Sequence, residues 1–435
     1  MTLAMTIGGE QVMGESSSER NVINLRGRRA QAPSLAALVH DLQRAAYVDA
    51  PWLMRQLDVD STAGFLDDLA QAYGRVGVEL PSDAQHLLGQ FNDTAAGPPP
   101  RSPLTLQDPW AYEGLRRLWG RVDALNRSRG RTLGKPPLLA TLPTGQINAR
   151  AIRADQGEIA ILFDDEIRSF AYMMSKVVAT VLITPASATE DHADLDFERA
   201  ADPVSLAPKA AQWFAAVLDN YIGQGWVRTL PPWVVTRPVL ELALVLCGGF
   251  ETFVMAHEFA HHAQGHLVGA VPDAIADMGE LTALERAQAQ EMEADAFGLQ
   301  IACDAALDER GDALTGFWGA YLAFKSFELI ERTLYTVAHG TDWARVHAEV
   351  AAWRSEQDAH PAPGIRAAAL FFWFAKGDYE GPAATFANAI DLMFDKLFMN
   401  AFPALVRLGH AGVHPRFHEA LAVYRDAPRP TYAEL

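Results

Sequence analysis

The chain has 435 residues, of which 49% are apolar and 21% charged, which is long enough for two or three domains with a large buried core. A formal net charge of −18 argues against a nucleic-acid-binding protein, because phosphate binding needs a basic surface. Two cysteines, Cys247 and Cys303, are too few for a zinc ribbon or a disulfide framework. Both lie in apolar segments typical of small buried side chains.

Localisation signals are sparse. Uncharged apolar stretches fall short of the ~18 residues of a transmembrane helix, since the closest candidate, residues 239–256, contains Glu241 and Glu251. The N-terminus lacks the charged start, apolar block and cleavage site of a signal peptide. Together with the low cysteine content, these features predict a cytoplasmic protein without a transmembrane segment.

The first hundred residues predict three regions. Residues 1–32 are rich in Ser and Gly without periodicity and predict a mobile tail. Residues 33–92 contain helical patterns at 35–46 and 63–73, separated by turn residues, and predict a small helical domain. Residues 93–104 include three consecutive prolines and predict a linker.

The following region mixes one hairpin pattern with long helical patterns. Residues 109–126 predict an amphipathic helix. Segments 147–153 and 158–163 flank a turn sequence that ends in Gly157, which predicts an antiparallel hairpin. Helical patterns follow at 166–183 and 208–221 and continue beyond residue 312. The predicted architecture is α+β and predominantly helical, with one small antiparallel sheet and a C-terminal helical extension at 376–435.

Residues 257–261, HEFAH, place two histidines four residues apart. On a helix, His257 and His261 are separated by about 40° around the axis, so both imidazoles can reach a single Zn²⁺. Glu258 beside them can accept a proton from metal-bound water. The alternative for this pentapeptide alone is a helix that carries two histidines and binds no metal. Gly248 and Gly249 predict a kink or interruption just before the motif.

Other metal sites with this motif use different third ligands. A metzincin requires a third histidine at position 267, which is Leu267 here, so this class is excluded. Peptide deformylases use a cysteine, but Cys247 lacks the deformylase context. On a straight helix, His262 and His266 point away from the two motif histidines, so neither is predicted as a ligand.

A carboxylate that can complete the site lies in EMEAD, residues 291–295. The run 281–299 lacks proline and has its only glycine near the end, so it predicts a helix. Glu291 then supplies the third ligand, and Asp295, one turn on, accepts a hydrogen bond from a ligand histidine. A His-His-Glu set with one open position is typical of catalytic zinc. The alternative is a solvated acidic helix, which also carries Glu293.

HExxH followed by ExxxD resembles the signature of gluzincin zinc peptidases, particularly the CAAX prenyl protease and HtpX-like group with its soluble Oma-like relatives. The doubled histidine of HEFAHH and the Ala-Asp of EMEAD are also similar to that group. Two further segments resemble it, HPAPGIR at 360–366 and the hairpin at 147–163. The resemblance covers roughly residues 145–370. It implies a zincin-like metallopeptidase core in a domain predicted at 105–375.

The resemblance also implies roles around the metal. His360 and Arg366 become candidate catalytic residues that stabilise the oxyanion, with Tyr335 or His339 as substitutes. The alternatives are a helix-entry role for His360 and a surface ion pair for Arg366. An extended peptide can pair with the edge of the hairpin through its backbone alone. The predicted edge strand consists of Glu158, Ile159, Ala160 and Ile161.

The predicted function is a cytoplasmic zinc-dependent endopeptidase that acts on a restricted protein or peptide substrate. One Zn²⁺ per chain is held by His257, His261 and Glu291, and Glu258 is the general base. One alternative is a dedicated regulatory protease of a signalling or phage-response circuit. Another is a non-catalytic helical scaffold that retains zinc, against which Glu258 argues because a scaffold needs no base. No oligomeric state follows from the sequence.

Overall fold

The computed structural model describes residues 34–49, 109–131, 135–154, 157–183, 194–201, 208–225, 235–268, 283–357 and 360–411, together with residues 227, 230 and 233. The predicted tail at 1–32, the predicted helix at 63–73 and the predicted linker at 93–104 lie outside these residues. The domain boundaries therefore stay predictions.

The described part of the chain is mostly helical, with eleven α-helices and one three-stranded sheet. This confirms the predicted class, predominantly helical with a small sheet. The helices are α1 Leu35–Asp49, α2 Pro109–Ser128, α3 Asp165–Leu182, α4 Phe197–Ala201, α5 Pro208–Gln224, α6 Arg237–Ala263, α7 Ala283–Arg310, α8 Leu314–His339, α9 Trp343–Gln357, α10 Pro363–Phe374 and α11 Glu380–His410. The strands are β1 Leu138–Leu142, β2 Ala149–Arg153 and β3 Ile159–Asp164.

The predicted hairpin is formed by β2 and β3, which pair antiparallel with Ala151 opposite Ile161. Gly157 adopts φ 80° in the turn, a backbone conformation that glycine reaches without steric cost. The sheet as a whole is mixed, so the prediction of a purely antiparallel sheet is wrong. β1 pairs parallel to β3 on the side opposite β2, because the chain crosses from one edge of the sheet to the other between β1 and β2.

The order β1-β3-β2 also corrects the predicted substrate edge. Ile159, Ala160 and Ile161 lie in β3, the central strand, and Glu158 directly precedes it. The ladder hydrogen bonds of β3 are directed to β1 on one side and to β2 on the other, so β3 cannot accept a further strand. Among the described strands, β2 is the edge strand of the hairpin.

The two faces of the sheet bury different cores. Ile161 and Phe163 of β3 face the large helical core, whereas Ala160 and Leu162 face the smaller cluster that α1 covers. This alternation follows from the two-residue period of a strand. The side-chain amide of Gln43 on α1 donates to the backbone oxygen of Thr141 at 2.9 Å, which ties α1 to β1. The sheet is thus covered on both faces.

Helix α6 lies at the centre of the helical core and packs against α3, α7 and α8. It runs from Arg237 to Ala263 through the predicted interruption at Gly248 and Gly249. Instead of ending the helix, Gly249 allows a close crossing with Gly319 of α8, where a Cβ atom on Gly319 would lie 2.4 Å from the Gly249 backbone. The two backbones touch because both positions lack a side chain.

Of the described helices, α6 is the one long and apolar enough to cross a membrane by length and composition. This is a weak indication of a membrane span, because a buried core helix meets the same criteria, and 56% of its most apolar window is buried inside the protein. Helix α11 packs against α4, α5 and α8 in the same large core as α6.

Candidate metal centre

Two turns at the C-terminal end of α6 place His257 and His261 on one helix face. Both side chains are buried, and their Nε2 atoms lie 3.1 Å apart. The spacing of four residues brings the rings together, as expected for a helix. Both rings therefore present a nitrogen to the same point.

Helix α7 packs along α6 and brings Glu291 to that point. Its Oε2 lies 3.5 Å from Nε2 of His257, and its Oε1 lies 3.4 Å from Nε2 of His261. A tetrahedral ion with bonds of about 2.0–2.1 Å has ligand–ligand edges of about 3.3–3.4 Å. The three side chains are buried, and their ligand atoms lie within 4.8 Å of one another, so this group could hold a metal ion. The coarse form of the predicted metal site is thereby confirmed.

Asp295, one turn after Glu291, lies behind the first histidine. Its Oδ1 is 2.9 Å from Nδ1 of His257, the ring nitrogen that faces away from His261. Arg366 donates to both oxygens of this fully buried carboxylate, at 2.7 and 2.6 Å, and its Nη2 lies 3.3 Å from Oε2 of Glu291. These contacts favour a role for Arg366 in holding the two carboxylates over the predicted role as an oxyanion partner.

Glu258 is buried and lines the same cavity as the histidines, although it is not part of the ligand group. Burial raises the pKa of its carboxyl above the usual value, while the charge of His257 opposes the shift. The backbone N–H of Ala151 on β2 also hydrogen-bonds this carboxylate. A carboxyl group with a raised pKa is better suited to take and return a proton near neutral pH.

The two histidines differ in their proton affinity. Burial alone lowers the pKa of His257, but the contacts with Asp295 and Glu291 outweigh it and raise this pKa to about 10. Burial lowers the pKa of His261 to about 3. Without a metal, His257 therefore binds a proton more tightly than His261. Metal ligation requires two neutral imidazoles, so metal binding here releases a proton.

His360 precedes α10 at the rim of the site. Its Nδ1 lies 3.2 Å from Oε2 of Glu291, and the ring lines the cavity. Tyr335 and His339, its predicted substitutes, are on α8 but do not line the cavity, and Tyr335 packs against His347 with ring centroids 5.8 Å apart. Of the three candidates, the structure thus brings only His360 to the site.

The site lies in a cavity of about 260 Å³ between β2 and α8. Residues 146–152, which include most of β2, form one wall. The ligand group, Glu258, His360 and Arg366 contribute polar surface, together with Gln146, Asn148, Arg150 and Tyr221. Helix α8 contributes a mostly apolar wall, with Phe324, Phe327, Ile330 and Leu334 beside a single charged residue, Glu331.

The sequence analysis missed His266. Helix α6 ends at Ala263. Gly265, with φ 75°, then turns the chain back toward the metal group formed by His257, His261 and Glu291. His266 therefore returns to the site, with its Nδ1 3.0 Å from Nδ1 of His261 and its Nε2 3.0 Å from Oε2 of Glu293. The prediction that His266 points away assumed a straight helix. Gly265, three residues after the doubled histidine, was the available signal in the sequence.

No protein-family model matches the chain, and neither a curated protein nor a solved structure matches it at a significant level. The site is therefore interpreted from its own geometry.

Proposed function

We propose that the protein is a zinc-dependent endopeptidase of the gluzincin type, with a zincin-like core. The observation that carries this proposal is the arrangement of four buried side chains. His257, His261 and Glu291 can surround one ion, and Glu258, which is not a ligand, faces the same cavity. A purely structural site has no need for a buried carboxylate beside its ligands, because such a group costs free energy to bury.

Zinc suits this donor set because two imidazoles and one carboxylate with an open fourth position are typical of catalytic zinc. When bound, the ion would lower the pKa of a water molecule and polarise a carbonyl group. Glu258 would take the proton from that water and pass it to the leaving amine. His360, which lines the cavity, would donate a hydrogen bond to the oxyanion.

A peptide substrate would bind along β2. This strand is at the edge of the sheet among the described strands, and its residues line the cavity beside Glu258. An added strand pairs through backbone groups and demands no particular side chain at each position. The apolar face of α8 on the opposite wall would then select the side chains. Selection of side chains at that wall would restrict the set of protein or peptide substrates, as in a regulatory protease.

The test has two stages, on the full-length protein. We expect about one Zn²⁺ per chain by elemental analysis, lost in His257→Ala, His261→Ala and Glu291→Ala. We expect Glu258→Gln to keep zinc and thermal stability but to abolish cleavage of a mixed peptide library, since only the proton acceptor is removed. Glu241→Gln, an exposed position on the same helix, serves as the control and should leave both unchanged.

The outcomes separate the candidate functions. Equal zinc content in the wild type and Glu291→Ala would remove the gluzincin assignment. A wild type that binds zinc and cleaves nothing would favour the non-catalytic scaffold. A Glu258→Gln variant that still cleaves would overturn the proposed role of Glu258.

A further inference from the structure

Three side chains form a hydrogen-bonded chain that begins outside the metal group and ends on one of its ligands. Glu293 on α7 contacts Nε2 of His266, and Nδ1 of His266 contacts Nδ1 of His261, both at 3.0 Å. His266 is 8% exposed and belongs to the short 3₁₀ turn after α6. The mechanism above uses neither His266 nor Glu293.

We propose that His266 and Glu293 are positioning residues, which hold His261 in the tautomer and orientation that a metal ligand needs. This inference rests on the proposed metal site. Nε2 of His261 faces His257 and Glu291, so this nitrogen is the ligand atom. Its Nδ1 must then carry the hydrogen.

The role of each atom in the chain follows from that hydrogen. Nδ1–H of His261 donates to Nδ1 of His266, which must therefore be an unprotonated acceptor. A neutral imidazole that accepts at Nδ1 carries its hydrogen on Nε2. Nε2–H of His266 then donates to the carboxylate of Glu293. No other arrangement of hydrogens in a neutral His266 satisfies both contacts.

The two ligand histidines are thus held in different ways. His257 contacts the fully buried Asp295 directly. His261 reaches a carboxylate only through a second imidazole, and the side chain of Glu293 is 23% exposed. Both carboxylates come from EMEAD on α7, which therefore supplies a ligand and the two groups that orient the histidines. The chain through His266 should make His261 a more basic ligand.

The competing explanation is that His266 only fixes the turn after α6. Removing it would then alter stability but not the state of the bound metal. The half-buried His262 on α6 makes a control, because it is a nearby histidine that lies outside the chain of contacts.

The experiment measures Zn²⁺ affinity of the full-length protein by competition with a chelator. His266→Ala and Glu293→Ala should each weaken the affinity by about ten- to a hundredfold, and His262→Ala should leave it unchanged. His266→Asn, whose amide oxygen can accept from Nδ1–H of His261, should restore part of the loss. Because the two residues act in series, the double variant should be no weaker than His266→Ala.

A second measurement reports the tautomer directly. In the ¹⁵N spectrum of the zinc-loaded protein, His261 should show a protected Nδ1–H that exchanges faster with solvent in His266→Ala. If His266→Ala does not fold, Glu293→Gln replaces it in the test. Its loss of Zn²⁺ affinity should be smaller than that of Glu293→Ala.

Different failures point to different claims. A wild type that binds no Zn²⁺ overturns the proposed function and this inference with it. If the wild type, His266→Ala and Glu293→Ala all bind Zn²⁺ equally tightly, the positioning role of His266 and Glu293 is wrong. The proposed metal site then still stands.

Discussion

Arg366 donates two parallel hydrogen bonds, of 2.7 and 2.6 Å, to the carboxylate of Asp295. The same carboxylate contacts His257. The guanidinium also stacks over the ring of Phe324, 4.5 Å from its centroid. An arginine held in this way cannot turn toward a substrate without breaking two charged hydrogen bonds to a buried carboxylate. The ion pair between Arg366 and Asp295 therefore stabilises the site rather than binding a substrate.

We therefore expect Arg366→Ala to destabilise the fold by up to about 3–5 kcal/mol, because buried Asp295 would lose its two charged hydrogen bonds and keep only the contact with His257. The measurement is the free energy of unfolding in urea. Arg345→Ala, at an exposed ion pair on α9, is the control and should cost about 1 kcal/mol or less. Equal effects of the two substitutions would contradict the supporting role of Arg366.

Asp295→Asn tests the contact with His257. The substitution keeps the shape of the side chain but removes the charge that orients the ring, so we expect Zn²⁺ affinity to fall by about ten- to a hundredfold. Competition with a chelator measures this change. If the affinity is unchanged, Asp295 serves only the ion pair with Arg366.

His360→Ala should lower kcat more than it raises KM, since a partner of the oxyanion acts mainly in the transition state. His339→Ala is the matched control, because His339 was the alternative candidate and does not line the cavity. Steady-state kinetics on a cleaved library peptide provide the comparison. If His360→Ala raises KM and leaves kcat unchanged, His360 acts in substrate binding instead.

Asp164 predicts a pH dependence of stability away from the metal group. Burial raises the pKa of this carboxyl to about 7, although Arg150 and a hydrogen bond from Thr144 oppose the shift. An unfolded aspartate titrates near ~4, so the folded state binds this proton more tightly. The resulting stabilisation is complete below pH ~4 and is lost as the pH rises through about 7.

Between pH ~4 and 8, the free energy of unfolding of the wild type should therefore fall relative to that of Asp164→Asn, which lacks this titrating carboxyl. Urea unfolding at several pH values measures it, with Asp219→Asn at an exposed position of α5 as the control. Identical pH profiles of the wild type and Asp164→Asn would rule out this carboxyl as the source.

Gly319→Ala should destabilise the protein by about 1–3 kcal/mol, because the added Cβ would lie 2.4 Å from the backbone of Gly249. Gly248→Ala provides the contrast, since its Cβ would meet no atom within 4 Å. Replacement of a helical glycine by alanine, where the added Cβ has room, stabilises a protein by about 0.5–1 kcal/mol. Thermal unfolding should thus shift in opposite directions for the two variants.

Local spacing made the metal group predictable. The separation of His257 from His261, and of Glu291 from Asp295, is a property of one helix turn, so each pair could be placed without knowledge of the fold. The meeting of the two pairs depends on how α6 packs against α7. From the sequence, that meeting was suggested by the chemistry of a zinc ligand set and by the resemblance to the gluzincin signature.

Two features were not predicted from the sequence, namely strand β1 and the position of His266, because they depend on non-local pairing and on backbone geometry. Strand β1 was not predicted, and its pairing with β3 decides which strand lies at the edge. That pairing joins Leu138 to Ala160, which is far beyond the range of a local pattern. His266 was missed for another reason, because its position depends on the positive φ of Gly265 rather than on helical spacing.

The crossing of Gly249 and Gly319 has a mechanical consequence for the cavity. It joins the helix that carries the histidines to the helix that forms the apolar wall, with no side chain between them to absorb movement. His257 lies eight residues from that point, which is about 12 Å along a helix axis. A tilt of about 5° at the crossing would move the histidine by about 1 Å, a displacement that would lower the rate of the proposed reaction by about a hundredfold. The crossing therefore fixes the distance between the histidines and the α8 wall from a point about two turns away from His257.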